Sequence, residues 1–209
     1  ETESFHLSTW NTSNQSLTAG RFTGIETGSA NNTLFGLTTV LFKSGNGNNT
    51  LLGFDTGRST YEGYENTHVG ASCGRATTTG FQNTLVGYLA GASVTTGYQN
   101  MYLGRQSGQN TTTGFLNVGV GINTLRLNVS GYANLGIGAQ AGESNTGFYN
   151  TFVGSAAGRT NTGNNNVFIG ATAGELQAGS DLLIIDNTNT LTPLIKGNFA
   201  ADTLRVFGR

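Results

Sequence analysis

The sequence repeats one short motif, an Asn followed by three variable residues and a Gly, at an almost constant interval. Nine copies are present, and they begin at Asn32, Asn49, Asn66, Asn83, Asn100, Asn117, Asn134, Asn150 and Asn166. Successive copies are seventeen residues apart six times and then sixteen residues apart twice. This period is too short for helical repeats of about 33 residues or leucine-rich repeats of about 20 to 29. It suits one turn of a β-solenoid, and we expect two short strands and two tight turns in each coil.

The composition agrees with an all-β fold. Gly accounts for 33 of the 209 residues, and both Gly and Asn tolerate the positive φ that tight corners need. The 12 Phe and 7 Tyr residues argue against a disordered chain. The net charge of −1 gives no attraction to nucleic acid, and no apolar run approaches the roughly 18 residues of a membrane span. We therefore expect a β-solenoid (β-roll) of about nine coils, with no nucleic-acid partner and no membrane insertion.

Three regions follow from where the repeat begins and ends. Residues 1–30 are predicted to form an N-terminal cap or a degenerate first coil, aligned on Gln15, seventeen residues before Asn32. Residues 31–179 are predicted to form the solenoid. Residues 180–209 contain "DLLIID", "TPLIKG" and "DTLRVFG", which predict three short strands. These strands would cap the open end of the solenoid or lead into a stalk beyond residue 209.

Each position of the repeat becomes a column along the solenoid. The Asn column predicts a structural ladder of amides that hydrogen-bond from coil to coil. The third residue after Asn is always apolar and is expected to face the core: Phe35, Leu52, Val69, Val86, Leu103, Val120, Ile137, Val153 and Ile169. The seventh is always small, which predicts a close approach of the opposite wall: Thr39, Thr56, Cys73, Ala90, Ser107, Thr124, Ala141, Ala157 and Ala173. Cys73 is therefore expected to be a buried, inert thiol.

The second residue after Asn should then point away from the core, because side chains alternate along a strand. It is nevertheless apolar in six coils, as Leu34, Leu51, Leu85, Tyr102, Phe152 and Phe168. A second apolar face predicts a cover, and the simplest cover is the same face of identical chains around an axis. The pattern does not distinguish two chains from three. His68 lies in this column without a second ligand nearby in sequence, which indicates a packed or partly exposed histidine rather than a metal ligand.

An aromatic residue lies two positions before Asn in six successive coils. These residues are Tyr64, Phe81, Tyr98, Phe115, Tyr132 and Phe148. They could form a stripe that stacks on sugars or a ladder that seals one corner of the solenoid. We favour the ladder, because an exposed row of Phe would promote aggregation.

The ninth position after Asn varies freely and follows the Gly corner, so we expect an outward-facing turn. Its four arginines, Arg58, Arg75, Arg126 and Arg159, are candidate surface contacts. The alternative is that they serve solubility alone.

No constellation in the sequence points to catalysis. The carboxylates are scattered, and the sequence "YEGYE" predicts a turn in which Glu62 and Glu65 are solvated. The two histidines have no triad context. The stretch "GIGAQAG" at residues 136–142 mimics a nucleotide-binding loop but is explained by the coil repeat. We therefore expect no enzyme activity, no cofactor and no metal.

Strings of Asn-Thr followed by two apolar residues and Gly resemble the Hep/Hag-type head repeats of trimeric autotransporter adhesins and the repeat shafts of phage-type tail fibres. The segment "LLIIDNTNTLTPLIKGNFAADTLRVFG" is similar to the strand region that precedes the coiled coil and the endosialidase-type chaperone domain of tail-fibre-like proteins. The resemblance covers roughly residues 31 to 208. It implies a homotrimer located outside the cell, on a cell surface or on a virion, with a surface receptor or glycan as a partner.

The leading hypothesis is a structural fibre segment that presents or contributes to receptor binding. One alternative is a filament subunit joined end to end through the C-terminal strands, with Trp10 as an N-terminal anchor. Another is an ice-binding solenoid with a Thr array at the first position after Asn. That array is interrupted by Met101, Val118, Leu135 and Val167, and we expect it to share a face with the core column.

Overall fold

The computed structural model describes residues 17–19, 22–25, 31–42 and 47–207 of the chain. This part of the protein is all-β and contains no helix. Its fifteen strands are β1 (Leu17–Ala19), β2 (Phe22–Ile25), β3 (Thr33–Phe35), β4 (Thr38–Phe42), β5 (Thr50–Leu52), β6 (Thr67–Val69), β7 (Thr84–Val86), β8 (Met101–Leu103), β9 (Val118–Val120), β10 (Leu135–Ile137), β11 (Thr151–Val153), β12 (Val167–Ile169), β13 (Leu182–Ile185), β14 (Ile195–Asn198) and β15 (Thr203–Val206). No helix that could cross a membrane is found among the described residues.

The strands stack as a β-solenoid, as the repeat predicted. One 13-stranded sheet has the order β1-β3-β5-β6-β7-β8-β9-β10-β11-β12-β13-β14-β15. Its strands are parallel from β1 through β13, because each coil contributes one strand in the same direction. Strands β13, β14 and β15 then pair in antiparallel fashion.

The expectation of two strands in each coil is wrong for most of the solenoid. Among the described residues, only β2 and β4 form a second sheet, and the later coils have turns on the opposite wall. Two left-handed residues, two positions apart, interrupt any extended run there; in one coil they are Leu89 (φ 56°) and Gly91 (φ 53°). The turns still stack in register, as the Gly91 amide donates to the Ser107 carbonyl (2.9 Å). Each coil is therefore joined to its neighbours by three strand residues on one wall and by stacked turns on the other.

The predicted phase of the strands is also wrong. The middle residue of β3 and of each strand from β5 to β12 is buried, whereas the third residue after Asn is half-buried or exposed, as at Leu52 (48% exposed). The cause is the Asn itself, whose amide points inward. Alternation from a buried Asn places the second residue inside and the first and third outside. The inward column is Leu34, Leu51, His68, Leu85, Tyr102, Gly119, Gly136, Phe152, Phe168 and, in β13, Ile184.

Large side chains of this column pack directly on glycine backbone of the turn wall. A Cβ added to Gly91 would lie 2.7 Å from Leu85, and one added to Gly174 would lie 2.6 Å from Phe168. The small seventh-position residues are buried beside them, as predicted, from Thr56 to Ala173; the side chain of Thr39 lies outside the described part. The interior is therefore one side chain thick.

Leu125 compensates for two glycines in the inward column. It occupies the turn position that is Gly in neighbouring coils, is fully buried, and has a positive φ of 49°. A Cβ added to Gly136 would lie 3.2 Å from its Cγ, while one added to Gly119 would lie 3.0 Å from Tyr102. Leu125 and Tyr102 thus fill the space that Leu or Phe fills elsewhere, which preserves close packing.

The two ends differ from the regular coils. Strand β1 pairs with β3 as an earlier coil, but Leu17 lies opposite Thr33, so the offset is sixteen residues rather than the seventeen implied by Gln15. Trp10, His6 and most of residues 1–30 lie outside the described residues. The three C-terminal strands expected from the sequence are present as β13, β14 and β15. β13 stacks as one more parallel solenoid strand, and β14 and β15 extend the sheet beyond it.

Candidate interaction surfaces

The Asn column forms a continuous buried ladder. The Nδ2 of Asn66 donates to Asn49 Oδ1 (3.1 Å) and to the Gly80 carbonyl (2.9 Å), and the Asn66 backbone amide donates to the same Oδ1 (3.0 Å). The amide-to-amide bonds repeat from Asn32 to Asn150. At the last rung Asn166 Oδ1 accepts from the Leu182 amide (2.9 Å), which ties β13 to the ladder. These buried amides use their hydrogen-bonding capacity inside the solenoid, so their role is structural.

The six aromatic residues form a stack along one corner. Neighbouring ring centroids are 4.8–4.9 Å apart, with interplanar angles of 2–7°. Both faces of each interior ring are covered by the next rings, and only the edges remain partly exposed. A sugar stacks on the face of a ring, so this arrangement favours the ladder over the sugar-binding stripe. Exposed side chains of Glu65, Gln82 and Gln99 hydrogen-bond from coil to coil beside the rings (2.8 and 3.1 Å).

The ninth-position column is not uniformly outward, which corrects the sequence expectation. Ala92 is 2% exposed and Glu143 is 9% exposed. Arg126 forms an ion pair with Glu143 of the next coil (2.8 Å), and Arg159 pairs with Glu175 in the same way. The Glu residues of the column thus serve as partners for the Arg residues one coil earlier.

The other two candidate arginines are more exposed. Arg58 contacts Asp55 within its own turn (3.5 Å), and more than half of its side chain is accessible. Arg75 is exposed as well. Of the four candidates, Arg58 and Arg75 therefore keep the greater freedom to contact a partner.

The outer sheet face is the most extensive unusual surface of the protein. We define it as the first and third residues of β3 and of β5 to β12, together with Leu183, Ile185, Ile195, Gly197, Leu204 and Val206. The register joins the two parts, because Val167 pairs with Leu183, Leu183 with Gly197, and Gly197 with Leu204. Every residue of this face is apolar, Gly or Thr, and none is charged.

This face becomes more apolar toward the C-terminal end. The first strand position is Thr in β3, β5, β6 and β7, whereas from β8 to β12 it is Met101, Val118, Leu135, Thr151 and Val167. The exposed fractions are substantial, with Ile137 at 41% and Val206 at 66%. The first-position Thr residues share this face with the third-residue column, as expected, but that column faces outward and is not in the core. Their row remains interrupted, as the sequence showed.

The outer sheet face is comparable in area to the largest apolar patch of a typical soluble monomer, which is about 300–600 Å². Twelve strands contribute to it, which at about 4.8 Å per strand gives a length of about 53 Å. Three residues per strand give a width of about 10 Å, and hence a projected area of about 500 Å². Patches of this size on soluble proteins are often functional.

The buried titratable groups are isolated from solvent. Both ring nitrogens of His68 lack a hydrogen-bond partner, and burial lowers its pKa to about 3. The Cys73 thiol donates to the Leu85 carbonyl (3.1 Å), and burial raises its pKa to about 12. Burial also raises the pKa of Tyr102, whose hydroxyl bonds with that of Thr111 (3.0 Å). His68 and Cys73 are therefore packing residues, as the sequence indicated.

The described residues contain no cluster of three His, Cys, Asp or Glu side chains that could hold a metal ion. The third residues after Asn, which the sequence analysis placed in the core, instead lie on the outer sheet face. The inward Asn was the signal that could have assigned them to the outer sheet face.

No family model, curated protein or solved structure matches this chain. The resemblance to adhesin heads and tail fibres therefore stays a prediction.

Proposed function

We propose that this chain is a structural segment of an extracellular or virion-associated fibre, in which three copies pack through the outer sheet face. The single observation that carries the proposal is the uncharged, apolar character of that face over twelve strands. Exposed apolar area of this extent favours association, because its burial removes it from water. Identical copies around an axis parallel to the solenoid would cover the whole face of each copy at once.

The choice of three copies rests on the resemblance to trimeric adhesin heads and tail-fibre shafts. The geometry contributes a long, narrow stripe, about 10 Å wide, which suits a small number of rods side by side. Such a rod would be stiff, because the Asn ladder, the aromatic stack and the parallel sheet all run along the same axis. Its work would be mechanical rather than catalytic, carrying or displaying a surface that binds a receptor or glycan.

Receptor contacts, in this proposal, lie away from the outer sheet face. Arg58 and Arg75 are the exposed candidates on the turns. The expected location of the fibre is outside the cell, on a cell surface or on a virion.

One observation favours a second candidate, a filament joined end to end. Strand β15 is the last strand of the sheet, and all four of its residues are exposed. An exposed edge strand offers free backbone donors and acceptors for pairing with another chain. The two proposals differ in the species expected in solution, because a closed trimer has a fixed mass and a filament grows with concentration. An ice-binding rod remains a further alternative and predicts a monomer with thermal hysteresis.

A pair of matched variants tests the fibre proposal. Val120 lies on the outer sheet face, whereas Val129 of the same coil is 49% exposed on a turn. Val120→Asp should abolish the trimer, because it would bury a carboxylate in each interface, and Val129→Asp should leave it intact. Light scattering on a sizing column measures both masses. If the two variants behave alike, the outer sheet face is not the contact surface.

A further inference from the structure

The outer sheet face has one interruption, in β14. Among the outer positions of β3 and β5 to β15, the sole Gly is Gly197. Leu183 on β13 and Leu204 on β15 lie opposite it in the register. A side chain is therefore missing between two leucines, near the C-terminal end of the outer sheet face.

A hollow of about 330 Å³ lies beside Gly197. Leu183, Gly197 and Leu204 contribute to its lining, and Phe199 and Asp202 of the following turn close one side. Leu204 is 64% exposed and Phe199 is 48% exposed, so these apolar walls project from the sheet beside the hollow. At this end, the outer sheet face therefore has a depression flanked by projecting apolar side chains.

This relief matters because the rest of the face is periodic. β3 and each strand from β5 to β12 present two uncharged side chains at the same spacing, so a slide of one strand between copies would preserve most contacts. A face of that kind gives attraction but little axial register. A non-repeating feature is needed to make one alignment better than its neighbours.

We propose that the Gly197 hollow receives an aliphatic side chain from the same level of a neighbouring copy of this chain, and so fixes the axial register of the assembly. The inference rests on the proposed trimer and adds the element that aligns it. The occupant is a second copy, because Leu183, Gly197 and Leu204 of the hollow belong to the uncharged outer sheet face, and Asp202 borders the hollow only from the turn that follows β14. In copies related by an axis parallel to the solenoid, strands at the same level meet one another.

The first test fills the hollow. Gly197 does not have a positive φ, and a Cβ there would lie 3.1 Å from the Thr203 carbonyl and 3.2 Å from Leu183 Cβ, a tight but local fit. Gly197→Val should keep the circular dichroism spectrum and raise the concentration for half-assembly by about tenfold or more, which corresponds to about 1.4 kcal/mol. Gly179→Val is the matched control, since Gly179 is exposed and a Cβ there meets only the Leu182 side chain.

The second test reads the register directly. Val206→Cys places a thiol on the outer sheet face beside the hollow, and Arg205→Cys places one on the opposite face of the same strand. The one native cysteine, Cys73, is buried. Mild oxidation should cross-link copies of the Val206→Cys protein and spare the Arg205→Cys protein. Adding Gly197→Val should reduce the Val206→Cys yield several-fold.

The outcomes separate this inference from the proposed function. A wild-type trimer in which Gly197→Val changes neither the assembly concentration nor the cross-link yield overturns the register role and leaves the fibre proposal standing. A wild-type monomer overturns both. If Gly197→Val does not fold, Leu204→Ser provides the same measurement, because it removes a wall that is mostly exposed; unchanged assembly of that variant would refute the inference.

Discussion

Replacement of His68 by Leu should stabilise the protein. His68 is fully buried in the inward column, between Leu51 and Leu85 in the register, and neither ring nitrogen has a hydrogen-bond partner. An unsatisfied buried polar group costs about 1–3 kcal/mol, and Leu already occupies this column at Leu34, Leu51 and Leu85. The His68→Leu variant should therefore gain about 2 kcal/mol in unfolding free energy at pH 7.5.

The gain should grow as the pH falls. Burial lowers the pKa of His68 from 6.5 to about 3 in the folded protein. Between these two pH values, His68 is therefore protonated in the unfolded chain and neutral in the folded chain. Wild-type stability then decreases by about 1.4 kcal/mol for each pH unit between these two values. The advantage of His68→Leu should rise from about 2 kcal/mol at pH 7.5 to about 5 kcal/mol at pH 4.5.

Guanidinium unfolding followed by circular dichroism measures this difference. Wild type and variant are compared at one protein concentration, because any assembly adds to apparent stability by mass action. Other titrating groups are common to both proteins and cancel in the difference. Leu85→His is the reverse substitution one coil away and should lose stability with the opposite pH trend. A difference that is zero, negative or independent of pH would refute the account of His68 as a desolvated, unpaired imidazole.

The remaining predictions concern the ladders, the compensating leucine and the inter-coil ion pairs. Asn100→Ala should cost about 3 kcal/mol or more, because it leaves the backbone amide and Nδ2 of Asn117 without their acceptor; chemical unfolding measures this. Leu125→Gly should cost about 2 kcal/mol in the same assay, since the cavity term outweighs the relief of its positive φ; a neutral result would contradict the packing described for Gly136. Phe115→Ala should cost about 2 kcal/mol by removing two ring stacks and should leave the mass of the assembly unchanged by light scattering. Arg159→Gln should cost less than about 1 kcal/mol, because its ion pair with Glu175 is partly exposed; a loss of several kcal/mol would contradict this small contribution.

The sequence was sufficient for the architecture because periodicity is a strong constraint. A seventeen-residue interval leaves room for a solenoid coil and little else, and the stacked Asn and aromatic columns follow from placing identical residues at the same position. The three C-terminal strands were also predictable, because "DLLIID", "TPLIKG" and "DTLRVFG" are short β-favouring runs between turns.

The phase of the strands could not be assigned from hydrophobicity alone, since the second and third residues after Asn are both usually apolar. The deciding fact is that the Asn side chain points inward, and burial is not expected of a polar residue. The single strand per coil was also missed, because Leu89 and Ala156 adopt left-handed φ values at positions where the residue type gives no warning. Leu125 stands at a turn position that is Gly in the neighbouring coils. Its packing on Gly136 could not be predicted without knowing which part of the turn wall faces each strand.

The outer sheet face shows how the error in phase affected the functional argument. The need for a cover was inferred from the wrong column, yet a second apolar face exists. It consists of residues such as Val120 and Ile137, which were assigned to the core, and it continues onto β14 and β15. The Gly197 hollow depends on antiparallel pairing between β13, β14 and β15, which no repeat predicts.

The most direct test of the central claim is the solution mass of the unmodified chain, measured by light scattering across a concentration series. The account predicts a stable mass near three times 21.7 kDa. A chain that stays at 21.7 kDa at every concentration would contradict it, because the outer sheet face would then be exposed to water without a partner.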